Sequence, residues 1–236
     1  MRKCYDEYNV KKFVIGSGGS AFSDGGLGMV QAMNVFDLFD TNEKLVERPM
    51  SIADAKTLKS AVVRDADFLR DCSVLMPCDV TSPLLGPMGA SHVFGPQKGA
   101  TAEQIPILDQ NIEHVIRLFL TAKDGNDDAF DKVANTPSAG ASGGTVGALI
   151  SLLDDRASIV SGLDFVANLT DLQEKISQSD LVVTGEGSFD LQTLQGKAVA
   201  QIIEYCLAQD KEVLVLCGVN KVTQEDLRQK YTEEQR

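Results

Sequence analysis

The stretch SDLVVTGEGSFDLQTLQGKAVAQIIEYC (179–206) sets the fold class of this 236-residue chain. An apolar run, Leu181–Val183, breaks into glycines and acids and passes through Gly196-Lys197 into an apolar, helix-like pattern. A phosphate loop would place a glycine five positions before the Gly-Lys pair and a Ser or Thr after it. Leu191 and Ala198 stand there instead. The stretch reads as a strand, a glycine turn with two acids just past the strand, and a helix opening near Lys197.

Working outward, the same alternation continues. CSVLMPCDV (72–80) is a short apolar run, a buried strand, and Pro83, Gly86, Pro87 and Gly89 build an irregular loop after it. KKFVIGSGG (11–19) reads as a strand ending in a glycine turn, and GLGMVQAMNVFDLF (26–39) as a helix or helix plus strand. Ser51 and Asp54 open the segment 51–61 like a capping box. Over 101–120, Ile105, Leu108, Ile112, Val115, Ile116 and Phe119 recur at helical spacing. Residues 122–138 read as a polar surface connection, and GASGGTVGALISLL (140–153) as a glycine loop feeding an apolar helix. A helix follows around 164–177, another over 193–209, then a strand at EVLVLCG (212–218) and a charged terminal helix. Strands alternating with helices indicate an α/β protein with mostly parallel sheets. Such sheets bind ligands at the C-terminal ends of their strands.

Composition narrows the function classes. A net charge of −12 argues against a nucleic-acid partner, since phosphate binding by a whole surface needs a basic field. One small anion can still be held by a few lysines and backbone N–H groups. The five cysteines contain no C-x-x-C pair, which points to reduced thiols in the cytoplasm rather than a zinc site or disulfide framework. Only two histidines occur, so a His-rich metal site is excluded. No apolar stretch reaches membrane-spanning length, and MRKCYDEYNVKKF lacks the apolar core of a secretory signal.

Four glycine-rich segments carry the candidate chemistry. GSGGSAFSDGG (16–26) loosely matches the dinucleotide fingerprint, but Gly25 and Gly26 fall where the first helical turn should be, costing roughly 1 kcal/mol each against alanine. An anion nest of Gly18, Gly19, Ser20 and Gly25 beside Asp24 suits it better. Residues 78–100 hold Asp79 at a strand end and Lys98 in a Gly-Pro-Gln-Lys-Gly turn, while His92 reads as structural. Gly143 and Gly144 precede a helix N-terminus, serving either an anion or close packing. In TGEGSFDLQTLQGK (184–197), Glu186, Asp190 and Lys197 suit a magnesium–phosphate site: hard oxygens for the metal, a point charge for phosphate. Phosphoryl transfer needs mainly positioning, charge neutralisation and one carboxylate to accept a proton, and this inventory fits it.

The ordered set IGSGGSAFSDGG, CDVTSPLLGPMGAS, FGPQKGAT, GASGG and DLVVTGEGSFDLQTLQGK resembles the glycerate kinases of the bacterial glycerate 2-kinase type, from about Phe13 to Gly218. The resemblance implies a two-domain α/β enzyme moving the γ-phosphoryl of Mg–ATP to a hydroxyl of D-glycerate. It implies an inserted domain over 1–177 and, in 178–236, the C-terminal half of a discontinuous partner domain. Asp190 would accept the proton or hold Mg²⁺ with Glu186, Asp79 would be a further acid, and Lys98 and Lys197 would neutralise phosphate. Gly18, Gly19, Ser20, Asp24, Gly25, Gly143 and Gly144 would meet glycerate carboxylate or phosphate oxygens.

The chain departs from the family pattern at Phe22-Ser23, where Thr-Asn is usual, and at Ser82, where Asn is usual. The family's upstream strand with its Pro-Asp-Ser-Phe-Lys loop is not evident, nor are its further C-terminal strands. A shortened member is therefore expected. The alternatives are an inactive, ligand- or partner-binding remnant of that family, or a dinucleotide-dependent oxidoreductase resting on GSGGSA.

Overall fold

A computed structural model describes residues 1–47, 49–194 and 196–231. The polypeptide forms two compact units, Met1–Val160 and Ser161–Arg236. The division expected at 177/178 falls inside the second unit. The helices directly after Ser161 pack with elements further along: Asp164 accepts a hydrogen bond from the Tyr205 hydroxyl, and Ser161 pairs with Gln201 at 3.4 Å.

The first unit runs α1 (Arg2–Tyr8), β1 (Lys12–Val14), α2 (Leu27–Met33), β2 (Phe36–Asp40), β3 (Leu58–Val63), α3 (Ala66–Asp71), β4 (Ser73–Pro77), α4 (Ala90–Phe94), α5 (Gln104–Thr121), α6 (Asp127–Asn135), α7 (Thr145–Leu153) and β5 (Ala157–Val160). Strands β1, β4 and β5 form a parallel sheet in the order β1-β4-β5, while β2 and β3 pair antiparallel. Val74 and Met76 alternate into the core from the central strand β4. Helix α5 turns Ile112, Val115, Ile116 and Phe119 fully inward, and Phe119 stacks on Phe36 with ring centroids 5.4 Å apart. Burial of each such side chain contributes about 1.5–3 kcal/mol.

The connection expected over 122–138 holds a helix instead. Asn126 caps α6 by accepting from Ala129 N–H at 3.0 Å, and Phe130 and Val133 are buried from it. The segment opened by Ser51 is a 3₁₀ turn, Ile52–Thr57, because Leu58 already enters β3.

The second unit runs α8 (Gly162–Leu169), α9 (Leu172–Ser177), β6 (Leu181–Phe189), α10 (Leu191–Leu194), α11 (Ala198–Leu207), β7 (Glu212–Asn220) and α12 (Gln224–Lys230). Strands β6 and β7 pair in parallel over nearly their whole length. Val213, Val215 and Cys217 pack with Val199 and Ile203 of α11. On the opposite face Leu181, Val183, Leu214 and Leu216 are each about half exposed, and Val183 pairs with Leu214. The whole is mixed α/β with mostly parallel sheets, as the alternation predicts. Among the described residues, no helix is long and apolar enough to cross a membrane.

Candidate functional site

In the first unit the loops leaving β1 and β4 lie at the C-terminal end of the parallel sheet. Ile15 N–H still donates to Leu75 O at 2.9 Å, after which the chain leaves the sheet. Ser17 Oγ donates to Pro77 O at 3.2 Å, tying the two loops together. Gly18 and Gly19 are exposed, with nothing within 4 Å of where a Cβ would stand, so this turn is open to solvent.

Gly143 and Gly144 are different. Both are buried at positive φ, and a Cβ on Gly143 would meet Phe22 O at 2.4 Å and Ser23 Cα at 2.5 Å. Gly25 N–H donates to Gly143 O at 2.9 Å. Close packing accounts for glycine here: the 22–25 backbone lies where a side chain would begin. Gly25 is buried in the same contact, and its Cβ position faces Ile112.

Asp24 acts as a local cap. Its Oδ1 accepts from Gly26 N–H at 2.9 Å and its Oδ2 from Gly28 N–H at 3.0 Å, satisfying donors at the start of α2. Lys98 reaches across from the turn Pro96–Lys98. Its Nζ donates to Ser20 Oγ at 3.1 Å and to Phe22 O at 2.6 Å. Burial pushes the Lys98 ammonium below the ordinary lysine value, and the nearby Asp24 charge offsets only part of this. Ser20, Asp24 and Lys98 are thus brought together.

Asp79 is exposed just past β4. His92 is half-buried with Nδ1 3.8 Å from Asp109 Oδ1, and Asp109 Oδ2 accepts from Gly86 N–H at 2.9 Å. The Gly86–Asp109 bond ties the 83–95 region to α5, while His92 Nδ1 and Asp109 Oδ1 are buried without a hydrogen-bond partner.

In the second unit the strand runs on through both glycines of TGEG. Gly185 pairs with Leu216 and Glu186 with Cys217, and β6 ends only at Phe189. The glycines serve close strand contact: a Cβ on Gly185 would stand 2.3 Å from Leu216 O. Glu186 therefore lies within the strand rather than past it, with its buried Oε1 lacking a hydrogen-bond partner. Asp190 follows the strand and caps α10, its Oδ1 accepting from Thr193 N–H at 3.3 Å while Thr193 Oγ1 accepts from Asp190 N–H at 3.3 Å. Lys197 is exposed at the N-cap of α11. Gln201 Nε2 donates to Gly196 O at 2.8 Å and fixes the turn before it. Thr193, fully buried, and Ser23, whose Oγ is buried without a partner, are missed by sequence reading.

Comparison with known proteins bears on the same motifs. The model of the glycerate kinase family matches residues 2–234. The chain belongs to the glycerate kinase family. It is 37% identical to Glycerate 2-kinase of Escherichia coli (strain K12) over 213 residues, which cover 90% of this chain and 53% of that protein. It is 35% identical to Glycerate kinase of Bacillus subtilis (strain 168) over 209 residues, covering 88% and 52%. A Salmonella typhimurium LT2 crystal structure named for glycerate kinase 2 superposes with a TM-score of 0.70 at 30% identity, covering 96% of this chain and 62% of that one. The chain spans about half the length of the curated relatives it matches.

Proposed function

We propose that the protein transfers the γ-phosphoryl group of ATP to a hydroxyl of D-glycerate. The observation that carries this reading is membership of the glycerate kinase family across nearly the whole chain. In such a transfer the acceptor oxygen bonds to the γ-phosphorus, the bond to the ADP oxygen breaks, and the hydroxyl proton passes to a carboxylate. Asp190, at a strand end and held by Thr193, would accept that proton or hold the metal, with Asp79 as a further acid. Lys197, exposed at a helix start, would neutralise phosphate oxygens.

Among the described residues, no three His, Cys, Asp or Glu side chains stand close enough to hold a metal by themselves. Magnesium commonly takes one or two carboxylates together with nucleotide phosphates. The unpartnered buried oxygen of Glu186 fits such a ligand, so Glu186 and Asp190 would hold the ion. Bound there, magnesium would supply charge neutralisation at the phosphates.

The domain assignment belongs to the same proposal. Among the described residues β6 and β7 pair only with each other, and a lone two-stranded sheet is marginal without more strands or packing. The half-exposed leucines and valines on one face support reading 178–236 as half of a domain that other strands complete, with 1–177 the inserted part. The five free thiols support a cytoplasmic setting, and the acidic balance supports small-molecule ligands without nucleic acid or membrane. A coupled ADP-release assay with D-glycerate tests the function, on this chain and on one extended to its relatives' length. Glycerate-dependent ADP release is expected. Its absence from both would overturn the reading.

A further inference from the structure

Helix α4 carries a polar side chain that the proposed transfer does not use. His92 Nδ1 of α4 and Asp109 Oδ1 of α5 stand 3.8 Å apart, and both atoms are buried without a hydrogen-bond partner. That distance is too long for a hydrogen bond, and two buried polar atoms left so are costly. We propose that the pair is a proton-operated clamp: when the His92 imidazole takes up a proton, Nδ1–H closes on Asp109 Oδ1 and pins the 83–95 segment to α5, and the neutral ring releases it.

One proton does the work. Neutral imidazole has a single N–H, and when that sits on Nε2 the Nδ1 lone pair confronts a carboxylate oxygen. The cation has an N–H on both nitrogens, so Nδ1 becomes a donor toward an anion whichever tautomer came before. Such a charge-assisted bond is roughly twice as strong as a neutral one. The proton comes from solvent, for 35% of the His92 side chain is exposed although Nδ1 is not. Asp109 is set to receive the ring: its Oδ2 already accepts from Gly86 N–H at 2.9 Å, which leaves Oδ1 for His92.

The elements around α4 supply no competing charge. Further along α5, Glu113 pairs with Arg117 at 2.8 Å, Arg117 reaches Asp127 at 2.7 Å, and His114 Nε2 lies 2.9 Å from Leu58 O. Lys98, on the turn that follows α4, gives its Nζ to Ser20 Oγ and Phe22 O. The 83–89 loop and the 3₁₀ turn Ala141–Gly144, on which α4 also packs, contain no titratable side chain. Among the described residues, Asp109 is thus the charged group that faces His92. The clamp also bears on the turn beyond α4, because Gly95 N–H donates to Ser91 O at 2.9 Å and Lys98 N–H to Gly95 O at 3.0 Å.

The test is amide hydrogen exchange followed by nuclear magnetic resonance on the 236-residue protein, at about pH 5.5 and about pH 8, with rates corrected for intrinsic exchange. The Gly86 amide is the reporter, because its bond to Asp109 Oδ2 is secured when the ring holds Oδ1. Its protection should be roughly tenfold higher at the acid pH in the wild type. In His92→Gln, which has no charge to gain, and in Asp109→Asn, which keeps an oxygen for Gly86 N–H, that difference should vanish. His114→Gln, the change at the chain's other histidine, should keep it. Equal Gly86 protection at both pH values in the wild type overturns the clamp, and a water bridging the two atoms would give that result. So does a pH dependence that survives in His92→Gln. A check that needs no variant is the ¹⁵N spectrum of the imidazoles: at acid pH the His92 Nδ1 proton should be slow enough in exchange to be seen, and a proton lost to rapid exchange counts against the clamp.

Discussion

Gly143→Ala separates packing from ligand binding in the glycine-rich loops. At φ +62° the alanine would sit in the left-handed region, which costs about 1–2 kcal/mol. Its Cβ would also stand 2.4 Å from Phe22 O and 2.5 Å from Ser23 Cα. Both neighbours are backbone, so the 22–25 loop must move, and overpacking of this kind costs about 1–3 kcal/mol. The sum is about 2–5 kcal/mol. At about 2–4 °C per kcal/mol for a chain of this size, the melting temperature should fall by roughly 4–20 °C. The chain has no tryptophan, so far-UV circular dichroism or calorimetry is the readout. Gly18→Ala is the control: it has open space and no positive φ, and should change stability by less than about 0.5 kcal/mol. A Gly143→Ala melt within about 1 °C of wild type would refute the close-packing argument.

Other outcomes follow from the same contacts. Asp190→Asn keeps an oxygen for Thr193 N–H and removes the charge, so folding should persist while turnover falls by roughly 10²-fold or more in whichever chain length is active; turnover within a few-fold of wild type removes Asp190 from the mechanism. Asp24→Ala strips the cap from Gly26 and Gly28 and should cost about 1 kcal/mol in denaturant unfolding. Hydrogen bonding from Phe68 N–H, aided by Arg2, holds the Asp65 carboxyl below its ordinary value, against the effect of burial. Its stabilisation is therefore complete above the unfolded carboxylate range and is lost as pH falls through the lowered folded value. Asp65→Asn should flatten the acid limb of the stability curve, and an unchanged limb would count against it. Lys98, pushed down by burial, loses its charge at lower pH than an ordinary lysine. With Lys98 neutralising phosphate, Mg–ATP affinity should then decline early on the alkaline side, and in Lys98→Arg that decline should move to higher pH.

Much of the fold is legible because the apolar patterns are regular. Helix α5 carries its buried residues at helical spacing, and β4 alternates as a strand must. What is lost are elements whose local signal is short. Helix α6 was hidden by its polar surroundings, although Asn126, the acids Asp127 and Asp128 at its start, and the i,i+3 pair Phe130 and Val133 spell a capped helix. Strand β5 has only the residues Ala157–Val160, too few to show a period, and is fixed by pairing with β4. Whether α8 and α9 join the earlier or the later elements is likewise decided by contacts such as Tyr205 to Asp164, which composition does not record.

The site is harder to read, because one residue type answers two different needs. Gly18 and Gly143 look alike in sequence, each inside a Gly-Gly pair next to serine. The first lies open and exposed, while the second is pressed against Phe22 O. Glycine at 185 adds a third case, where a bare Cα lets β6 lie against Leu216 O and lengthens the strand that glycine was expected to end. At 143 and 185 a Cβ is excluded and at 18 it is not, and the sequence does not report which. That depends on which distant segment folds back: 22–25 onto 143, β7 onto 185, none onto 18. Ser23 follows the same logic from the other side, for its hydroxyl becomes informative only once burial has removed water as a partner. A side chain is a candidate ligand when the surrounding fold has taken away its ordinary partners and left a space beside it, and at Ser23 both conditions meet.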